Sequence, residues 1–400
     1  MIPGSAMTIP NAGLNPDRQP SIRPPKLAVL SAYFAEQGGG VEMTTGELVD
    51  ALRAAGIGVE WTAMGPRAAR DHQTHAVAGT DILNRLFGVP MPIPMPWALP
   101  AVWSSIRRAD LVVAVEANFL LSAAGFLVAK LLGRPTLLIQ HIGKPSTVSL
   151  LARIVMTAGE RLVVRPILRS ADRVIGVSPV VTDHFSRDRS DMLEIGHPID
   201  TALFRPARDA AEVARERQSM GLPSSGRIAC FVGRLTESKG IAVVIEMARR
   251  LPEWSFAIAG AGPVDVTAAG LPNILPLGQL TREGVASLYR ASDVTVLASP
   301  SESFSLVVRE SLAAGVRVLC ADQIFRTDAQ LARFVESAAV ELDDVPATAH
   351  RFVRLLQQQR STPAERGRAY VEQRCGFAST HGAYIALIAE LASKAVEAKR

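Results

Sequence analysis

RIACFVGRLTESKGIAVVIEMARRL, residues 227–251, decides the fold. An apolar run fit for a strand ends at a glycine, a polar loop follows, and apolar residues then recur with the period of a helix. The grammar repeats at once. WSFAIAGAG (254–262) and NILPLG (273–278) read as strands and REGVASLYRAS (282–292) as a helix. DVTVLAS (293–299) is a strand, SLVVRESLAAG (305–315) a helix and VRVLCA (316–321) a strand. Strands that alternate with helices predict right-handed βαβ units around a parallel sheet.

The same pattern stands upstream. KLAVLSAYF (26–34), ADLVVAVE (109–116), PTLLIQHIG (135–143) and ADRVIGVS (171–178) are strands with helical material between them. GGGVE (38–42) leads into the helical TTGELVDALRAAG (44–56), and PMPIPMPWALP (90–100) is too rich in proline for anything but a loop. The fold class is α/β, with two doubly wound Rossmann-like domains facing each other across a cleft. The expected divisions are a disordered tail over 1–25, a first domain over 26–203 and a connection over 204–226. A second domain spans 227–378, and a last helix over 379–400 returns to the first domain. In such sheets ligands bind beyond the carboxyl ends of the strands.

Composition excludes several classes. At 400 residues the chain is long enough for two domains, and 48% hydrophobic with 20% charged residues excludes wholesale disorder. The 43 basic and 38 acidic residues leave a net charge of +5, too even for a dedicated nucleic-acid binder. Three cysteines, Cys230, Cys320 and Cys375, show neither a disulfide framework nor metal-ligand spacing, so no metal is expected and a reducing cytoplasm is the simplest compartment. The first 25 residues lack the apolar block of a secretory signal. Glu116 and Lys130 break the apolar stretch 111–133, which reads as a buried strand and a buried helix. Ser149 to Arg173 is different: Arg153, Arg161, Arg165, Arg169 and Arg173 stand among Leu, Ile and Val. Pro166 interrupts the pattern or starts a second helix, and the stretch is either an amphipathic surface helix with a solvated stripe or a face that docks on an anionic membrane surface.

Chemistry gathers at strand ends. After IACFVG come Arg234 and Lys239 in one strand-to-helix loop, beside a helix N-terminus whose free N–H groups attract anions. Arginine grips phosphate as a fork and lysine neutralises it as a point charge, although a solvated basic loop would look the same. After DVTVLAS come Glu302 and Phe304, and eight residues past Glu302 stands Glu310. On one helix such residues are about 12 Å apart and turned by about 80°, so both can address one elongated ligand. Glu302 could equally serve the helix dipole, while the apolar neighbours of Glu310 make it a buried acid in need of a partner. Gly38, Gly39 and Gly40 let backbone approach a ligand, or form a plain flexible loop. His141 ends the strand PTLLIQ, where either a reacting group or a structural histidine can sit.

Taken together these residues resemble the retaining, nucleotide-sugar-dependent glycosyltransferases of family 4, which have the GT-B fold. Gly39 and Gly40 stand for the family's first-loop glycines. VGRLTESKG stands for its phosphate-binding segment through Gly233, Arg234, Lys239 and Gly240. SPSESFSLVVRESLAAG stands for its donor motif through Glu302, Phe304 and Glu310, and IGVS and HPIDTALFRP fall where further family segments fall. The resemblance covers roughly Lys26 to Leu319. There are departures: Ser303 and Ser305 replace glycines around Phe304, Gly196 and His197 replace Pro-Asn, and ADQIFRTDAQLARF follows Leu319 in place of a glycine-rich segment.

The resemblance implies roles. Arg234 and Lys239 hold the donor diphosphate, and Glu310 binds the ribose. Glu302, with backbone N–H groups around Phe304, Ser305 and Leu306, holds the sugar. His141 sits near the transferring centre, Gly39 and Gly40 close over the phosphates, and backbone near Gly278 to Leu280 meets the base. It implies transfer of a sugar from a UDP- or GDP-linked donor to a hydroxyl with retention, without cofactor or metal. The acceptor is a lipid-linked, cell-envelope or exopolysaccharide saccharide, the setting cytoplasmic and peripheral at the inner face of the plasma membrane, and no nucleic acid is involved. The alternatives are another sugar-nucleotide enzyme of the same fold, such as an epimerase or phosphorylase, a nicotinamide oxidoreductase, or a catalytically silent binding protein.

Overall fold

The computed structural model describes residues 24–35, 39–65, 73–82, 91–143, 150–358 and 364–397; nearly all of the expected tail, and Gly38, lie outside these. In the first half, β1 (Lys26–Tyr33), α1 (Gly40–Ala54), β2 (Gly58–Met64) and β3 (Thr74–Val77) are followed by the short β4 (Gly79–Thr80) and β5 (Ile93–Pro94). Then come α2 (Leu99–Arg108), β6 (Leu111–Val115), α3 (Leu120–Leu131), β7 (Thr136–Gln140), α4 (Leu150–Gly159), α5 (Arg165–Ser170), β8 (Arg173–Gly176), α6 (Pro179–Phe185) and β9 (Leu193–Glu194). Among the described residues the main sheet runs β3-β2-β1-β6-β7-β8-β9, every neighbour parallel. Leu27–Leu30, Leu111–Val115 and Thr136–Gln140 are buried throughout, as strands covered on both faces must be.

The second half begins with α7 (Ala210–Ser219) and continues through β10 (Arg227–Val232), α8 (Ile241–Arg250), β11 (Trp254–Ala259), β12 (Ile274–Gly278), α9 (Arg282–Ala291), β13 (Val294–Leu297), α10 (Leu306–Ala313), β14 (Arg317–Ala321), β15 (Glu336–Ala338) and α11 (Val345–Gln357). Its sheet runs β12-β11-β10-β13-β14-β15, again parallel throughout. Two helices, α12 (Ala364–Cys375) and α13 (Phe377–Glu397), close the chain. Helix α13 packs on α1 and β6, and its Tyr384 hydroxyl donates to the Ile195 carbonyl at 3.2 Å.

Each sheet reverses direction once. The chain leaves β1 toward β2 and returns on the other side as β6; it leaves β10 toward β11 and returns as β13. These reversals open crevices at the strand carboxyl ends. An aspartate pins each crevice from the opposite end. Asp110 accepts the backbone N–H of Lys26 at 3.1 Å, which ties β6 to β1, and Asp293 accepts that of Ile228 at 2.7 Å, which ties β13 to β10.

Four sequence readings need correction. The stretch 204–226 contains a helix: α7 is capped by Asp209, which accepts the Glu212 N–H, and it packs on α9, where Arg217 donates to the Ala291 carbonyl at 2.9 Å. The described part of the proline segment, 91–100, is not a plain loop; Ile93–Pro94 pairs with Gly79–Thr80, and Pro96 and Pro100 sit in first helical turns, where their missing N–H costs nothing. The helix after β6 is not wholly buried, since Leu127 is 58% and Leu131 77% exposed. The arginine stretch is not one solvated stripe, although a second helix does start there as expected, with Pro166 in its first turn. A π turn over Glu160–Val164 separates α4 from α5, Arg165 pairs with Glu160 and Asp188, and Arg169 with Asp188.

Candidate active site

The crevice between β10 and β13 gathers the expected donor residues. After β10 the chain makes a short turn and enters α8 through Gly240, at φ 73°. A methyl carbon on Gly240 would lie 2.1 Å from the Ala298 carbonyl oxygen, so only glycine lets this loop press against the end of β13. The turn aims Lys239 across the crevice, where its Nζ donates to Glu302 Oε1 at 2.7 Å. The side chains are 24% and 12% exposed. Arg234, in the same loop, is exposed and has no ion-pair partner among the described residues.

The loop after β13 is held in an unusual shape. Glu302 lies in this loop, ahead of α10. Ser305 takes φ 58°, left-handed for a residue with a Cβ. Arg309, buried in α10, offsets that strain: its guanidinium donates to the carbonyls of Phe304 and Ser305 and lies 3.7 Å from the Phe304 ring centroid. Asp328 Oδ2 stands 3.5 Å from Arg309 Nη2 and accepts the Tyr370 hydroxyl. Asp328 belongs to the segment that departs from the family pattern after Leu319, so this segment buttresses the Phe304 loop from behind.

Glu310 sits one turn into α10, buried, with the Tyr289 hydroxyl 3.4 Å from its Oε2. Burial pushes its carboxyl up to about 7, against the pull of Arg282 and Tyr289. Arg282 also forms an ion pair with Glu47 of α1, which joins the two halves beside Glu310. Gly278, at the end of β12, accepts the Gly260 N–H at 2.8 Å, which brings the ends of β11 and β12 together at the margin of the crevice.

In the first half, Gly39 precedes α1 without a side-chain cap, and a methyl on Gly40 would come within 3.5 Å of Leu306 across the cleft. His141 is buried at the end of β7, and its Nδ1 has no partner. Burial pushes it down to about 4, so the imidazole is neutral at ordinary pH. Beside it lies a pocket lined by Thr44, Leu48, His197, His381 and Tyr384. The His141 backbone is fixed by Glu116, whose Oε2 accepts the N–H groups of His141 at 2.9 Å and Ile142 at 2.8 Å. Gln140 and Asn118 donate to its other oxygen.

The structure thus brings Lys239, Glu302, Phe304, Ser305 and Leu306 to one crevice, with Glu310 behind them and Gly40 opposite. Arg234 stays on its rim. His141 is linked to this group by His197, whose ring stacks on His141 at 4.8 Å and meets Phe304 edge-on at 5.0 Å. Sequence reasoning missed Glu116, His197 and Arg309 as parts of the site. Glu116 was visible as a lone acid at the end of an apolar strand; Arg309 gave no signal apart from a charge inside a buried helix.

Comparisons with known proteins bear on the family and the fold. The family described as Glycosyltransferase Family 4 matches residues 38–203, and that described as Glycosyl transferases group 1 matches residues 212–370. The chain is 30% identical to a D-inositol 3-phosphate glycosyltransferase of Mycolicibacterium smegmatis, over 54% of this chain and 51% of that one. It is 27% identical to that of Mycobacteroides abscessus over 75% of each. It therefore spans about half of the first relative's length. Among solved structures, Anabaena HepE in complex with UDP and glucose superposes with a TM-score of 0.70 at 16% identity, covering 92% of this chain and 100% of that one. A sucrose-phosphate synthase from Thermosynechococcus elongatus gives 0.69 at 18% identity, covering 92% and 100%. Both share the fold. With family models across both halves, the chain belongs to the family 4 glycosyltransferases of GT-B fold.

Proposed function

We propose that this glycosyltransferase moves a hexose, with retention, from a UDP- or GDP-linked donor to a hydroxyl. The observation that carries the reading is the Lys239–Glu302 pair across the β10/β13 crevice. A cation for the diphosphate and an acid for the sugar hydroxyls are already placed side by side. The structure of HepE with UDP-glucose supports a uridine donor.

The bond from the anomeric carbon to the diphosphate breaks, and the bond to the acceptor oxygen forms on the same face. The acceptor proton passes to the departing phosphate. Negative charge grows on that phosphate, and Lys239, Arg234 and the free N–H groups at the start of α10 are placed to stabilise it. Glu302 orients the sugar, Glu310 accepts hydrogen bonds from the ribose, and neutral His141 lines the acceptor side. Closure of α1 on α10 through Gly40 and Leu306 excludes water.

The acceptor follows from a surface. Ile154, Val155 and Leu162 are exposed around α4 and its π turn, beside exposed Arg153 and Arg161. Apolar side chains flanked by arginines suit an anionic bilayer, which makes a lipid-linked cell-envelope saccharide the acceptor and the inner membrane face the setting. The names of the sequence relatives favour a second acceptor, a soluble phosphorylated polyol.

Three outcomes are expected. Lys239→Ala lowers sugar transfer by about 100-fold or more, as removal of one transition-state donor does; wild-type rates in this variant contradict the assignment. Nucleoside diphosphate affinity depends on pH. The ribose hydroxyls donate to ionised Glu310, which titrates near 7 in the free protein, so binding measured by calorimetry weakens about tenfold from pH 8 to pH 6. Glu310→Gln removes that part of the slope and leaves only the titration of the phosphate itself; equal slopes count against the role. In flotation with anionic phospholipid vesicles the protein rises with the lipid and Leu162→Glu stays below, whereas a wild-type protein that stays below favours the soluble acceptor.

A further inference from the structure

We propose that His197 is a positioning residue that couples the Phe304 loop to His141; the inference rests on the donor-loop reading given above. The observation is a row of three rings. His141 closes β7 in the first half, and Phe304 lies in the loop after β13 in the second. His197 lies between them, 4.8 Å from the His141 ring at an interplanar angle of 22° and 5.0 Å from the Phe304 ring at 83°. Stacked and edge-on rings at these distances are favoured arrangements, so a displacement of either outer ring is felt by the middle one.

The segment is shaped for this contact. A methyl carbon on Gly196 would lie 2.5 Å from the Phe304 ring, so the residue beside His197 must lack a side chain for Phe304 to approach. Gly196 and His197 stand where the resembling family carries Pro and Asn, and the two departures serve one neighbour. All three rings are buried. Burial, with His141 and Arg309 adding to it, holds the His197 imidazole well below its usual range. Both stacked imidazoles are therefore neutral, and no charge repulsion opens the stack.

His141 itself is rigid on its backbone side. Glu116 holds the main chain of His141 and Ile142, whereas the ring leaves Nδ1 unpartnered. The stack on His197 helps to set the ring orientation. When a sugar bound in the Phe304 loop shifts that ring, His197 passes the shift to His141. The first half then registers an occupied donor site through the middle ring.

The test has a part that needs no substrate. The histidine ring signals of the free protein are followed by NMR in wild type, Phe304→Leu, His197→Ala and the double variant. Phe304→Leu is expected to move the His141 ring signals when His197 is present and to leave them in place in the His197→Ala background. Equal movement in both backgrounds, or none in either, overturns the coupling. The kinetic part asks for consequence. His197→Ala lowers kcat about tenfold with the donor KM within about threefold of wild type, and His197→Phe, which keeps an aromatic ring, restores kcat to within about threefold. An unchanged kcat in His197→Ala, or no rescue by His197→Phe in a protein with the wild-type melting temperature, overturns the positioning role. Wild-type protein that turns over no nucleotide sugar contradicts the functional reading instead, and the NMR result then decides the coupling by itself.

Discussion

A half-buried lysine facing a half-buried glutamate across a crevice between two strands is the constraint on which the rest depends. Lys239 and Glu302 come from loops 63 residues apart in sequence, joined at 2.7 Å. Each charge has lost part of its water and leans on the other; truncating either one leaves its partner short of compensation. The loops can meet because Gly240 lets one pass within contact of Ala298, and because Arg309 grips the carbonyls of the other. The aspartate at the start of β13 fixes the register of the strands that carry both loops. On the proposed reading the resting pair is also a placeholder. A diphosphate carries more negative charge than one carboxylate, so it draws Lys239 to itself and frees Glu302 for the sugar.

The two halves share one apolar core cluster and are joined across the cleft by contacts of different kinds. Arg282 reaches Glu47, Leu306 approaches Gly40, and the ring row runs from Phe304 through His197 to His141. Helix α13 spans back onto α1 and β6. An ion pair is sensitive to salt and a ring stack is not. The contacts across the cleft therefore differ in their response to salt.

Much of this was legible in the letters. The alternation of apolar strands and amphipathic helices carried the fold, because strands covered on both faces need continuous Val, Ile and Leu. Lys239, Glu302 and Glu310 could be singled out because charges at strand ends and inside buried helices cost free energy unless something uses them. Three features were not legible. Asp209 caps a helix in a stretch so charged that it read as a connection. A π turn lets Arg165 and Arg169 share Asp188, which spacing along an ideal helix cannot foresee. His197 looked like a mere departure from a motif, since its meaning lies in rings 56 residues before and 107 after it.

The central claim is that the Lys239–Glu302 crevice holds a sugar diphosphate, and a crystal structure of the protein with UDP-glucose tests it most directly. The account predicts phosphate oxygens within hydrogen-bond distance of Lys239 Nζ, Glu302 turned from Lys239 to the sugar hydroxyls, and Glu310 on the ribose. A nucleotide lodged elsewhere, with Lys239 still bound to Glu302, would contradict it.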